Sequence, residues 1–366
     1  MSWKLKLRNV WGLLVLISNN WEQIKIGELC DITMGQSPKS KYYNSSGEGM
    51  PFLQGTRTFG DKYPEFDTWT SYVTKEATAG DVIMSVRAPV GNVNITPLDM
   101  CLGRGVCGLR HKEGNQEFLY YLLQYNKEKL VSRENGTIFG SVNKKDIANL
   151  EVNVPPLAEQ RKIGKTLATI DNRIAINKKI NHHLVQIAEA IYSSIKPATF
   201  VRLSDIMTVS YGKDHKNLEE GIIPCYGSGG IMRYVNKSLY RGESVLIPRK
   251  GSLQNVLYIN ENFWTLDTMF FTKMKIPNLA KYAYFYVKSL DLVNMNVGSA
   301  VPSMTTAVLN SLEMPLPTSE QLVEFEEKVR ALFMKIDLNN QENKNLFTIR
   351  ATLLPQLMSR EVSIVD

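Results

Sequence analysis

The chain is written twice, and that duplication limits the folds open to it more than any other feature. "GDVIMSVR" begins at Gly80 and "GESVLIPR" at Gly242, 162 positions later. "GTIFGSVNKKDIANLEVNVP" begins at Gly136 and "GSAVPSMTTAVLNSLEMPLP" at Gly298, with the same offset. In that second pair Gly136/Gly298, Ser141/Ser303, Leu150/Leu312, Glu151/Glu313 and Pro155/Pro317 are identical. Upstream, "LCDITMG" at Leu29 answers "LSDIMTVSYG" at Leu203 with an offset of 174, so the second copy lacks about a dozen residues in between. A repeated core with unlike loops is expected where packing fixes the scaffold and the loops carry separate specificities.

Each copy is followed by one long apolar stripe. Ile163, Leu167, Ile170, Ile174, Asn177, Asn181, Leu184, Ala188, Ile191 and Ile195 are spaced alternately by four and three, the 3.5-residue period of a coiled-coil seam. At the 162 offset stand Phe325, Val329, Leu332, Ile336, Asn339, Asn343, Leu346, Arg350, Leu353 and Leu357. One such stripe alone would read as a helix lying on its own domain. Two stripes in one register read as a mutual pair, and a third partner helix is the remaining alternative. In an antiparallel pair Asn177 and Asn181 face the neighbourhood of Asn343 and Asn339, fixing register at a cost in stability.

Both helices start after proline-containing turns, Pro155-Pro156 and Pro317-Thr318, and Thr318 and Gln321 have capping-box spacing. The Glu159-Gln160 pair is displaced by one residue against Glu320-Gln321, so the two starts differ. The first helix ends before Pro197, and Pro355 kinks or ends the second. About 38 residues give a rod of roughly 55 Å, and any unpaired outer face exposes Ile176, Ile180 and Ile187.

Between Trp21 and Pro155, short runs such as "DVIMSVR" and "LEVNV" read as strands divided by Gly, Pro and Asn turns. Glu117–Leu130 reads as an amphipathic helix, answered by Leu279–Val293, so each copy is α+β. The expected order is an N-terminal extension over 1–20, one globular copy over 21–155, a helix over 156–196, a second copy over 197–317 and a second helix over 318–360. The start, "MSWKLKLRNVWGLLVLIS", resembles a signal peptide. Its apolar run is short and no small-residue cleavage site follows, so it reads as an extension before a domain beginning at Trp21.

The four cysteines and four histidines form no CxxC or HxxxH cluster, which argues against a zinc site and fits a reducing cytoplasm. Lys and Arg outnumber Asp and Glu by 43 to 36, a formal charge of +7 that favours a polyanionic partner. The loops are where such a partner would bind. In the first copy Gln36, Lys39, Lys41, Tyr42, Arg57, Arg87 and Lys144 are candidate DNA contacts; in the second, Lys213, Lys216, Tyr226, Arg233, Arg249, Lys250 and Gln254. Lys and Arg neutralise phosphates, while Gln, Asn and Arg read base edges.

Two catalytic lookalikes fail. "CYGSGGIM" at Cys225 resembles an adenine methyltransferase's glycine loop and "NVPPL" at Asn153 its catalytic motif. The glycine loop follows the supposed catalytic motif instead of preceding it. Valine separates Asn153 from Pro155, and leucine replaces the stacking aromatic. No P-loop is present and no nucleophilic triad has a convincing context.

From Trp21 onward the chain resembles the specificity subunits of type I restriction-modification systems. The resemblance rests on the junctions "LEVNVPPLAEQRKIG" and "LEMPLPTSEQLVEF", on "PCYGSGGIMRYV" at Pro224, and on "IRATLLPQLMSREVSI" from Ile349 to Ile364. In that family the last segment commonly reads Leu-Leu-Pro-x-Leu-x-Ser-Gly-Glu. Arg360 therefore departs from a glycine, which loosens the inference of a C-terminal turn. The resemblance implies two pseudo-repeated α/β target recognition domains separated by two long antiparallel coiled-coil helices. It also implies a non-catalytic, cytoplasmic, membrane-free subunit that grips the two halves of a split double-stranded DNA sequence. Its partners would be two methylation subunits carrying S-adenosylmethionine, together with restriction subunits using ATP and Mg.

Because the loops differ, the expected target is asymmetric. Helix length would set the unread spacer at about 3.4 Å per base pair, so added turns after Ala175 and in the second helix should lengthen it. Two alternatives stay open: a recognition subunit of a methylation-only complex, and a coiled-coil repeat scaffold that binds proteins and no DNA.

Overall fold

The structure is a computed structural model and describes residues 20–132, 140–197, 199–295 and 303–364. The extension expected over 1–20 lies, but for its last residue, outside the described residues, as do Gly136 and Gly298. The main helices are α1 (Gln116–Tyr125), α2 (Leu157–Ser193), α3 (Ala280–Ser289) and α4 (Ser319–Met358). Two compact units result, one running through Asn177 and resuming at Asn340, the other Lys178–Asn339. The cuts fall within α2 and α4, so each unit holds one globular copy and one half of each long helix.

In unit 1, β1 (Cys30–Met34), β3 (Val82–Ser85), β4 (Val93–Ile95) and β6 (Val106–His111) form an antiparallel sheet in the order β1-β6-β3-β4. A second, five-stranded sheet contains β2 (Met50–Leu53) and β5 (Met100–Leu102), which pair in parallel. In unit 2, β7 (Met207–Tyr211), β8 (Glu220–Gly227), β9 (Gly230–Val235), β10 (Tyr240–Pro248), β11 (Leu257–Thr265) and β12 (Met269–Met274) form one sheet, β7-β12-β10-β11-β8-β9. Its first four strands repeat the unit 1 sheet. The pair Phe52↔Cys101 recurs as Cys225↔Trp264, and Leu53↔Leu102 as Tyr226↔Thr265. The nine-residue β11 corresponds to β4 and β5 together, which Pro97 and its neighbours divide in unit 1.

Register corrects two alignments drawn from sequence. His111 pairs with Cys30 where Met274 pairs with Met207, and Ile26 donates to Leu150 O where Leu203 donates to Leu312 O, both at 2.9 Å. Ile26 thus matches Leu203 and Leu29 matches Ile206, three positions off the expected match of Leu29 with Leu203. Likewise Val106↔Ser85 recurs as Met269↔Pro248, and the bridge Arg87↔Ser141 as Lys250↔Ser303. Arg87 therefore answers Lys250, one residue beyond the Arg249 that the glycine-led motif suggested.

The helix expected over Glu117–Leu130 breaks after Tyr125. The Asn126 side chain donates to Leu122 O at 2.8 Å, and a short helix, Lys127–Val131, follows. Pro355 neither ends nor visibly interrupts α4, which runs on to Met358 while Leu357 and Met358 are buried in the unit 1 core. Thr318 and Gln321 do form reciprocal cap bonds, at 2.9 and 3.3 Å. Gln160, displaced by one residue, is buried and joins His111 Nε2 to Pro155 O.

Within each unit the helix halves run antiparallel. In unit 1 Asp171 meets Arg350 and Asn177 donates to Asn343 Oδ1 at 3.0 Å; in unit 2 Asn339 donates to Asn181 Oδ1 at 2.7 Å. Ile163, Leu167, Ile174, Asn177, Phe325, Val329, Asn339 and Asn343 are buried. Ile170, Asn181, Leu184, Ile191, Leu332, Ile336, Leu346 and Leu353 are partly so. Burial also extends beyond the seam, to Ala168 and Asp171 on α2 and to Leu322, Glu326 and Phe333 on α4. On the outer faces Ile176 and Ile187 are exposed, whereas Ile180 is only half so. Among the described residues no helix is long and apolar enough to cross a membrane.

Candidate DNA interface

The same backbone clip builds a loop cluster in each unit. Where β1 ends, Gly35 N donates to Val106 O at 3.0 Å and Gln36 N to Leu102 O at 2.9 Å. Where β7 ends, Gly212 N donates to Met269 O at 3.0 Å and Lys213 N to Thr265 O at 2.8 Å. Glycine is required at both places, because a Cβ would fall on the Gly103 carbonyl oxygen in unit 1 and on that of Leu266 in unit 2. The next side chain, Gln36 or Lys213, is exposed. The clip fixes where that side chain is presented, and the sequence decides which chemistry it offers.

In unit 1 the chain after Gln36 turns through a short 3-10 helix, Ser40–Tyr42. Lys39, Lys41, Tyr43, Gln54 and Arg104 line a groove of about 690 Å³ beside it. Lys41 Nζ lies 4.9 Å from the centre of the Tyr42 ring, which stacks on exposed Tyr72 at 5.2 Å. Arg87 and Lys144 are exposed, the first beside its bridge to Ser141 and the second opening a helix capped by Asn143. Arg57 is held elsewhere by Asp67, with bonds of 2.6 and 2.8 Å, and its hydrogen bond keeps the Asp67 carboxyl below its ordinary range. Arg57's charge is therefore already matched within the loop.

Unit 2 gathers Lys213, Arg249, Lys250 and Thr306. Arg249 lies over the Tyr211 ring at 5.3 Å and donates to Asp267 O, while the Tyr211 hydroxyl meets Thr306 Oγ1 at 3.2 Å. Lys216 and Gln254 are exposed, though Asp214 accepts the Lys216 N–H and places a negative charge beside it. Arg233 is spent on Leu218 O.

Tyr226 needs correction as a DNA contact. It is buried with Phe263, its hydroxyl donates to Glu261 at 2.9 Å, and burial with that carboxylate pushes its pKa up. The inward face of β8 takes this side chain, which the apparent loop pattern concealed. Sequence reading also passed over Gln54 and Arg104. The Gly103-Arg104-Gly105 run was the available signal, since two glycines around one arginine mark close backbone approach.

The sequence model of the type I restriction modification DNA specificity domain matches residues 18–186 and again 196–347. The protein assigned as the MjaX type I restriction enzyme specificity subunit of Methanocaldococcus jannaschii is 41% identical over 167 residues, 44% of this chain and 39% of that one. The chain thus spans only about two fifths of that relative's length. The MjaIX specificity subunit of the same organism is 22% identical over 96% of this chain and 95% of its own. The crystal structure of a type I restriction-modification S subunit from M. genitalium shares the fold, with a TM-score of 0.61 at 20% identity, over 94% of this chain and 98% of that one. Matched twice and along most of its length, the chain belongs to the type I restriction modification DNA specificity domain family.

Proposed function

We propose that the chain is the sequence-reading, non-catalytic subunit of a type I restriction-modification complex. Each unit contacts one half of an asymmetric bipartite double-stranded DNA target through its clipped loop cluster. The long helices dock two methylation subunits, which carry S-adenosylmethionine, and restriction subunits that use ATP and Mg join them. The observation that carries this reading is the pair of glycine clips, the same backbone in both units presenting unlike side chains. A scaffold that only bound proteins would have no use for two positioned, solvent-facing and differently charged loops. The relatives' assignment as specificity subunits supports the same direction.

The test uses the chain co-expressed with its methylation partner. DNA binding should weaken steeply as salt rises, and Lys39→Ala or Lys41→Ala should each lower the salt slope by about 1 if that lysine meets a phosphate. Single-molecule sequencing should reveal methyladenine in a motif with two different halves and an unread gap. No binding at low salt, or methylation without a motif, would overturn the proposal.

A further inference from the structure

Gln54 is exposed, yet its backbone and its side-chain oxygen are both hydrogen-bonded. Its flanking carbonyls are gripped from both sides: Gly103 N donates to Leu53 O at 2.8 Å and Gly105 N to Gln54 O at 3.0 Å. A Cβ at Gly103 would come within 2.9 Å of Gln54 Oε1, and one at Gly105 would fall on Gln54 O. The side chain is oriented as well. Ser37 Oγ accepts from Arg104 N at 3.0 Å and donates to Gln54 Oε1 at 2.7 Å. With its oxygen engaged, the amide offers its NH2 group outward, in the groove it shares with Arg104 and Lys39.

Exposed glutamine ordinarily samples several rotamers, and fixing one costs conformational entropy. A locked, one-sided donor beside an arginine suits a partner that presents acceptors in a fixed pattern. In the major groove guanine presents N7 and O6 and thymine presents O4, whereas the familiar two-point pairing of glutamine with adenine needs its oxygen free. Resting on the DNA-reading function proposed above, we infer that Gln54 and Arg104 are the base-reading residues of unit 1 and select acceptor-rich base edges, Arg104 taking guanine. Unit 2 has Gly227 where unit 1 has Gln54, and Asp267 where it has Arg104, so this reader belongs to one half-site alone.

The experiment sequences methyladenine motifs made by the complete complex carrying wild-type chain, Gln54→Ala, Arg104→Ala or Gln54→Glu. Either alanine variant should reduce discrimination at one base pair of one half-site by about five- to 150-fold and leave the other half-site intact. Gln54→Glu replaces donor by acceptor and should move the preference at its position toward cytosine, whose N4 donates. An unchanged half-site with uniformly weaker methylation would make these residues backbone contacts and overturn the inference. If an alanine variant gives no methylation, Ser37→Ala decides: a broadened position supports the reader, and an unaltered motif refutes it. Absence of any motif with the wild-type chain would instead bring down the functional proposal beneath.

Discussion

Asp171 in unit 1 and Phe333 in unit 2 hold the same place on the long helices, and their surroundings have changed with them. Asp171 accepts from the Tyr121 hydroxyl and from Arg350, both at 2.6 Å. At the matching positions Phe285 packs on Phe333 with ring centres 6.2 Å apart, and Ala188 stands in place of Arg350. Two turns away the polarity reverses. Gly164 lets the first turn of α1 close onto α2, whereas its counterpart Glu326 forms a buried ion pair with Lys281 at 2.8 Å. Two copies of one scaffold thus seat their helix halves by different chemistry. A half suited to one unit would meet an unpaired charge or a steric clash in the other, which makes the pairing selective at some cost in stability.

Urea unfolding of the whole chain tests that contrast. The largest effect belongs to Asp171→Ala, which strands the Tyr121 hydroxyl and the Arg350 charge and should cost about 3 kcal/mol. Adding Tyr121→Phe and Arg350→Ala to Asp171→Phe rebuilds the unit 2 arrangement and should recover most of the loss; no recovery would show that the two seats are not interchangeable solutions. Gly164→Ala follows at about 2 kcal/mol, since its Cβ would meet Phe118 N at 2.8 Å.

Acid should then separate the units. Burial lowers the pKa of His111 below its ordinary 6.5, with the Gln160 bond opposing. The unfolded chain therefore binds the proton more readily. Stability from this site is complete above pH 6.5 and is lost as pH falls through the folded value. Met274 occupies the matching place in unit 2, so only unit 1 should show this loss, and His111→Gln should abolish it. An unchanged acid profile in that variant would assign the effect elsewhere.

The smallest change concerns Arg360, whose φ is 65°. Arg360→Gly should relieve left-handed strain of about 1 kcal/mol and forfeit part of that through the cation–π contact with Trp21, at 5.0 Å, for a net gain of about 0.5 kcal/mol. A net loss would mean that the ring contact outweighs the strain.

What could be read in advance followed from periodicity and repetition. The stripes of α2 and α4 and the asparagine positions are one-dimensional patterns that burial writes directly into sequence. Register was less legible. Leu29 and Leu203 look alike, but the ladder aligns Ile26 with Leu203, because strand pairing depends on partners far along the chain. The binding loops were harder still. Lysine-rich turns revealed the charge, whereas Tyr226 became core through its parallel strand, and the orientation of Gln54 arises from Ser37 and Gly103, 17 and 49 positions distant.

The glycines at 35 and 212 carry a consequence for how such a chain can change over generations. Each fixes a peptide so tightly that no other residue fits there, while the residue beside it, 36 or 213, alters what solvent meets and nothing beneath. Surface chemistry at those two places can therefore change by single substitutions without passing through a misfolded ancestor.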